Sequence, residues 1–150
     1  MKHVESDPPQ VELSTFTPEP KPAEVWRGGD VVVSAVAVHH EPVSDAVAYR
    51  VETSDGAVVI SGDTRVCAEV EEMAAGADVL VREACRNTAL ADAIRGTAFE
   101  AIFEYHADTV ALGAMAERAG VRYLVLTHMI PPPGTPEEEA GFVEDVRKGG

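Results

Sequence analysis

Three apolar runs of this 150-residue sequence lead into residues that could hold a metal ion. His40 follows the first run, Asp63 the second and His128 the third. If the runs are strands of one α/β sheet, their carboxyl ends can meet at the edge where ligands gather. Two imidazoles and a carboxylate suit a hard-to-borderline divalent metal, so the spacing indicates a shared metal site. The runs span residues 31–38, 57–61 and 122–126.

Each candidate residue also has an ordinary structural explanation. A single histidine is more often a surface residue than a ligand, and Asp63 could instead cap the helix that follows it. His106 precedes a helix and follows no strand, so it is either a proton donor near the site or a loop residue facing solvent. His39 should point to the opposite side of its strand from His40. His3 lies in the lead-in segment, and its surroundings indicate no functional role.

The elements that must position these residues alternate between strands and helices in the second half of the chain. Hairpin strands followed by β-α-β-α units predict an α/β fold with a mixed sheet. Five prolines within residues 1–25 predict an extended lead-in, and residues 26–150 form the domain. Strands are predicted at 31–38, 46–52, 57–61, 78–82 and 122–126, and helices at 65–75, 88–105 with an interruption at Gly96, 108–120 and 135–148.

Charge and composition exclude several classes of protein. The formal net charge of −14 disfavours non-specific binding of nucleic acid. No stretch approaches the length of a membrane span, and the amino terminus lacks the apolar centre of a signal peptide, so we expect a cytoplasmic protein without a membrane partner. Cys67 and Cys85 form no metal-binding pair and no disulfide-rich pattern, which favours free buried thiols.

Four segments together resemble the metallo-β-lactamase superfamily, and within it the ribonuclease Z and arylsulfatase-type hydrolases. The resemblance covers residues 25–148, and its segments occur in the family's order and spacing. It implies a carboxyl-terminal half of a four-layer αββα sandwich. The four segments are Val38-His39-His40-Glu41-Pro42-Val43 with Ala48-Tyr49-Arg50, Ser61-Gly62-Asp63-Thr64, His106 ahead of a helix ending Arg118-Ala119-Gly120-Val121, and Leu126-Thr127-His128.

The resemblance implies a metal-dependent hydrolase of phosphate or sulfate esters. His40 and His128 would supply one metal ligand each, Asp63 would bridge two metals and take part in catalysis, and His106 would act as proton donor. The metals would be two zinc ions in the complete family site, with manganese or iron as alternatives. The acidic surface favours a small anionic ester as the substrate. Transfer RNA stays an alternative substrate.

The sequence departs from the family pattern at two places. The family's His-x-His-x-Asp-His motif is absent, and Arg82-Glu83 stands where many relatives have His-Glu. An incomplete site and an exposed apolar sheet face predict a truncated or mis-started product of a full-length hydrolase gene. They also leave open a non-catalytic half-domain that pairs with another chain or with itself. Two histidines and a carboxylate fit non-haem iron oxygenases as well, but the helix-rich pattern argues against their barrels.

Overall fold

The computed structural model describes residues 11–150, which form a six-stranded mixed sheet with its strands in chain order. The first four strands are antiparallel, and the last three run parallel to one another. This confirms the predicted α/β class and the hairpin between the third and fourth strands. The strands are β1 (Ala23–Gly28), β2 (Val31–Ala37), β3 (Val47–Thr53), β4 (Gly56–Ile60), β5 (Val79–Cys85) and β6 (Tyr123–Ile130).

Five helices and one short 3-10 turn connect or follow the parallel strands. Gly96 has a φ of 73°, and the predicted helix 88–105 is divided there into two helices separated by the turn. Asp108 and Thr135 cap α4 and α5, Thr135 within a complete capping box. The helices are α1 (Ala68–Ala74), α2 (Asn87–Ile94), α3 (Ile102–Tyr105), α4 (Thr109–Ala119) and α5 (Pro136–Gly149), and the turn spans Ala98–Ala101.

The helices cover one face of the sheet and form the hydrophobic core with it. Leu80 and Val59 project from neighbouring strands into this core and are fully buried. Met73 of α1, Leu112 of α4 and Phe142 of α5 pack into the same cluster. Burial of such side chains contributes roughly 1.5–3 kcal/mol each to folding, so this face fixes the sheet on which the site is built.

The opposite face of the sheet, called the open face below, is apolar across all six strands. Its side chains form two cross-strand rows, and four large members of these rows are 43–57% exposed. Apolar alternation on both faces is typical of a sheet that is covered on both sides. The first row consists of Trp26, Val33, Val51, Val58, Val79 and Tyr123. The second row consists of Ala35, Tyr49, Ile60, Val81 and Val125. The four exposed members are Trp26, Tyr123, Ile60 and Val125.

Two features of the sheet differ from the sequence pattern. Strand β1 had no counterpart among the predicted strands, because its apolar residues are few and a bulge between Glu24 and Trp26 interrupts their alternation. Strand β6 continues past residue 126 to Ile130, so it does not end before His128. His3 lies outside the described residues.

Neither cysteine is disulfide-bonded. Cys85 is buried and Cys67 is half-buried. None of the helices formed by residues 11–150 has the length and apolar character needed to cross a membrane. The cytoplasmic location stays a prediction.

Candidate active site

Four side chains from distant parts of the sequence meet at one edge of the sheet. The rings of His40 and His106 lie 5.1 Å apart, measured between their centroids. The rings of His106 and His128 lie 5.7 Å apart and are nearly parallel, with 12° between their planes. Nδ1 of His128 is 3.7 Å from Oδ2 of Asp63. The structure therefore brings together the four residues that the sequence analysis singled out.

His40 is held by the backbone of the segment that carries His106. Its Nδ1 lies 3.2 Å from the carbonyl oxygen of Tyr105. A carbonyl only accepts hydrogen bonds, so in the neutral imidazole Nδ1 carries the proton and Nε2 keeps a free lone pair. The Tyr105 ring packs edge-on against His40, with 5.6 Å between ring centroids. His39 points the other way, as predicted, and its Nε2 lies 3.2 Å from Oε1 of Glu69.

Asp63 lies in a loop that turns sharply after β4. Gly62 has a φ of 61°, and a Cβ atom there would come within 3.1 Å of the Val47 carbonyl oxygen, so both conformation and space favour glycine. Asp63 does not cap the next helix, because α1 begins after Cys67 and has no side-chain cap bond. The carboxylate is therefore available to the site.

Glu83 is a buried carboxylate that joins the Asp63 loop to the His106 segment. Its Oε1 accepts hydrogen bonds from the backbone N–H groups of Thr64, at 3.3 Å, and Ala107, at 2.7 Å. Its Oε2 lies 3.3 Å from Nδ1 of His106, within ion-pair distance but without hydrogen-bond alignment. Sequence analysis noted Glu83 only as part of an altered dipeptide, since its link to His106 depends on the fold.

Burial shifts the proton affinities of this pair in opposite directions. It raises the pKa of Glu83 to about 7, although the bound backbone N–H groups and nearby Arg82 work against the shift. Burial, followed by the nearby His40, lowers the pKa of His106 below its ordinary value. Burial therefore favours the uncharged form of both groups.

His128 lies within β6 and not after it, which corrects the sequence prediction. The register between β5 and β6 shifts between Glu83 and Ala84, where β6 inserts one extra residue. His128 is that residue, and its φ of 40° is the only positive φ among non-glycine residues of the described chain. A bulge re-aims a side chain, and strained backbone often marks a functional position. Here the bulge directs the imidazole towards Asp63.

The donor set of this edge fits a divalent metal in its chemistry but does not complete a coordination sphere. His40 has one nitrogen fixed by a carbonyl and the other free, as is usual for metal-binding histidines. Yet among residues 11–150 no three His, Cys, Asp or Glu side chains lie close enough to hold a metal ion by themselves. The edge therefore offers part of a metal site.

The chain is similar in sequence to curated ribonucleases Z. It is 33% identical over 132 residues to "Ribonuclease Z" of Mycobacterium tuberculosis (strain ATCC 25618 / H37Rv), covering 88% of this chain and 46% of that protein. It is 38% identical over 125 residues to "Ribonuclease Z" of Mycobacterium sp. (strain KMS), covering 83% of this chain and 42% of that protein. The chain spans about half the length of these relatives. No family model matches the sequence.

Solved structures show the same fold. The metallo-β-lactamase fold protein YhfI from Bacillus subtilis aligns with a TM-score of 0.59 at 20% identity, covering 86% of this chain and 47% of that one. The Zn²⁺-bound PqqB from Methylobacterium extorquens aligns with a TM-score of 0.56 at 15% identity, covering 85% and 46%. The six-stranded sheet and its helices thus correspond to part of that fold.

Proposed function

Because the chain is a partial, ribonuclease Z-like protein of the metallo-β-lactamase superfamily, we propose that it carries half of the active site of a metal-dependent phosphodiesterase. The observation that carries the proposal is the meeting of His40, Asp63, His106 and His128 at one sheet edge, with 3.7 Å between Asp63 and His128. The residues come from segments up to 88 positions apart in the sequence (128 − 40 = 88).

His40, Asp63 and His128 would hold the metal, with zinc as the first choice because imidazole and carboxylate ligands suit it. Manganese and iron are the alternatives. The remaining ligands would come from a segment outside this sequence. When bound, the metal would generate a nucleophilic hydroxide at neutral pH and polarise the ester oxygen under attack.

His106 would donate a proton to the departing oxygen. Glu83 faces Nδ1 of His106 and leaves Nε2 for the substrate. Because Glu83 also accepts hydrogen bonds from Thr64 and Ala107, it would keep the ring in one orientation as the proton moves. Tyr105 would keep His40 in the tautomer that leaves Nε2 free for the metal.

The substrate would be a phosphodiester, and its size is a matter for experiment. The relatives are named as ribonucleases, which favours RNA as substrate. The formal net charge of −14 favours a small ester, because an acidic surface repels a polyanion. A sulfate ester is the third alternative.

Hydrolysis assays test the proposal. The chain is supplied with Zn²⁺ and mixed with the part of the Mycobacterium tuberculosis ribonuclease Z that lies outside the matched region. We expect hydrolysis of bis(p-nitrophenyl) phosphate, and its loss in Asp63→Ala. Precursor tRNA and p-nitrophenyl sulfate, tested in parallel, separate the three substrate classes. Absence of hydrolysis of every substrate, with the mixture shown to associate, would overturn the proposal.

A non-catalytic half-domain is the second candidate, and the open face favours it. Ile60, Tyr123 and Val125 are exposed on the sheet face that has no helices. Exposed apolar patches of this kind mark interaction surfaces. Size-exclusion chromatography separates the alternatives, because a stable monomer would count against pairing with itself and a partner-dependent complex would support pairing with another chain.

A further inference from the structure

Arg82 is the largest fully buried side chain of the described chain, and it lies beneath the loop that carries Asp63. Arg82 and Leu80 are two residues apart in β5, so both side chains lie on the face of the sheet that the helices cover. Nη2 of Arg82 donates a hydrogen bond of 2.7 Å to the carbonyl oxygen of Arg65, two residues after Asp63. Its Nε and Nη1 are buried and have no hydrogen-bond partner among the described residues. A guanidinium in this position is costly unless nearby charges compensate it.

Two carboxyl groups of the candidate site lie near this guanidinium. Burial lowers the pKa of Arg82, and the charges of Glu83 and Asp63 oppose that shift, Glu83 more strongly. Arginine stays protonated in proteins, so its positive charge is permanent there. This positive charge acts on both Glu83 and Asp63 and opposes the repulsion between the two carboxylates. Arg82 thus has both a hydrogen bond and an electrostatic link to the residues that present Asp63.

The loop anchored by Arg82 also holds the segment that carries His40. Arg65 N–H donates to the carbonyl oxygen of His39 at 3.2 Å. His39 N–H donates to Oγ1 of Thr64 at 3.0 Å, and that hydroxyl lies 2.9 Å from the His39 carbonyl oxygen. These bonds make residues 64–65 and His39 one connected unit. Movement of the Arg65 carbonyl would therefore move the backbone next to both His40 and Asp63.

We infer that Arg82 is a positioning residue that fixes Asp63 and His40 relative to each other through the Arg65 carbonyl. The inference rests on the proposed function for its chemical meaning, but its structural content can be tested separately. Arg82 would take no part in binding or proton transfer itself. Its role would be to keep the backbone that carries two candidate ligands in one geometry.

Amide hydrogen exchange of the folded chain tests this inference. Replacing Arg82 by Met removes the charge and the donor while keeping a long apolar side chain. We expect the amides of His39, Thr64 and Arg65 to exchange about tenfold faster or more, as is usual for loss of a charged hydrogen bond. Amides in the centre of β3 should change far less. Arg82→Lys keeps one charged donor and should restore part of the protection.

Arg86→Met is the matched control. It removes a guanidinium that pairs with buried Asp145, with 2.8 Å between Nε and Oδ2, but has no bond to the Asp63 loop. We expect it to leave exchange of Thr64 and Arg65 unchanged relative to the rest of the sheet. If Arg82→Met does not fold, Arg82→Lys replaces it in the test. We then expect a smaller increase in amide exchange rate that is still confined to the loop residues Thr64 and Arg65 and to His39.

Cobalt titration gives a second readout. Arg82→Met should weaken Co²⁺ binding by about 10- to 100-fold, as removal of supporting residues does, and should change the visible spectrum of bound Co²⁺. Arg86→Met should leave both unchanged. Uniform acceleration of exchange across all strands, or no change in the loop, would overturn the inference. If the unchanged chain binds no Co²⁺, the proposed function fails, while the exchange data still decide the role of Arg82.

Discussion

Oε2 of Glu83 lies 3.3 Å from Nδ1 of His106, and both atoms are buried. The carboxylate approaches from β5 and the imidazole from the segment after α3, so the contact joins two separate elements at the candidate site. Burial favours the uncharged form of both groups, because it raises the pKa of Glu83 and lowers that of His106. The raised pKa of Glu83 makes the stability of the chain depend on pH in a way that can be measured.

Glu83→Gln should change how the free energy of unfolding depends on pH. The pKa of Glu83 is about 7 in the folded chain and near 4.5 when unfolded, so the folded chain holds the proton more tightly between these values. Stability from this group is therefore lost as pH rises from 4.5 to 7, by at most about 3 kcal/mol. Urea denaturation at pH 5 and pH 8 should show Glu83→Gln gaining stability relative to the unchanged chain at the higher pH.

Glu71→Gln is the control for that measurement. The hydrogen bond from Arg118 lowers the pKa of Glu71, so its contribution is lost only below the ordinary carboxyl range. Its stability difference from the unchanged chain should stay constant between pH 5 and 8. A Glu83→Gln difference that is equally constant would contradict the raised pKa.

His128→Gly should be more stable than His128→Ala, although both remove the imidazole. The φ of 40° at this bulge strains any residue with a Cβ atom. Glycine adopts positive φ without that cost, so we expect a difference of roughly 1 kcal/mol in favour of glycine. Thermal or urea denaturation of the two variants measures it. Greater stability of the alanine variant would show that the bulge does not impose the conformation.

The order of apolar runs was sufficient to predict most of the sheet, because β-branched residues in β2 and the turn between β3 and β4 are local signals. The same holds for the α5 capping box at Thr135, which is encoded by neighbouring residues. Strand β1 could not be predicted this way. It forms by pairing with β2 across a bulge, and little in its own residues marks it as a strand.

Residue types and their positions after apolar runs predicted which side chains would meet at the candidate site. They did not predict the contacts that orient those side chains. His40 and Asp63 follow strands and could be identified from that position. Glu83 and Tyr105 act through contacts with residues more than 20 positions away, so no local pattern marks them. The bulge at His128 depends on the register between β5 and β6, which no local pattern reveals. The apolar run predicted a strand that ends at residue 126, whereas His128 lies inside the observed strand.

Val125→Lys should reduce self-association of the chain. Val125 is 46% exposed on the open face, where a lysine would interrupt an apolar row. Val143→Lys is a matched control, because Val143 is 44% exposed but lies on α5. Sedimentation velocity should show less association for Val125→Lys than for Val143→Lys. Equal association would mean that the open face is not the contacting surface.

His106→Asn should impair hydrolysis most when the departing group is a poor one. A general acid contributes about 10²–10⁴-fold where the leaving oxygen needs a proton, and little for p-nitrophenolate. In the two-part hydrolysis assay, an alkyl phosphodiester should lose far more activity than bis(p-nitrophenyl) phosphate. Equal losses with both substrates would argue that His106 serves another purpose.

Zinc titration of the purified chain tests the central claim most directly, since it asks whether His40, Asp63 and His128 form a metal site. The three side chains are too far apart in the present structure to hold a metal ion and would have to close on it, with water completing the coordination, so isothermal titration of the unchanged chain should give weak but saturable binding approaching about one Zn²⁺ per chain. Asp63→Ala should abolish this binding, while Asp55→Ala, in the β3–β4 turn, should leave it intact. Absence of saturable binding, or binding that survives Asp63→Ala, would contradict the account.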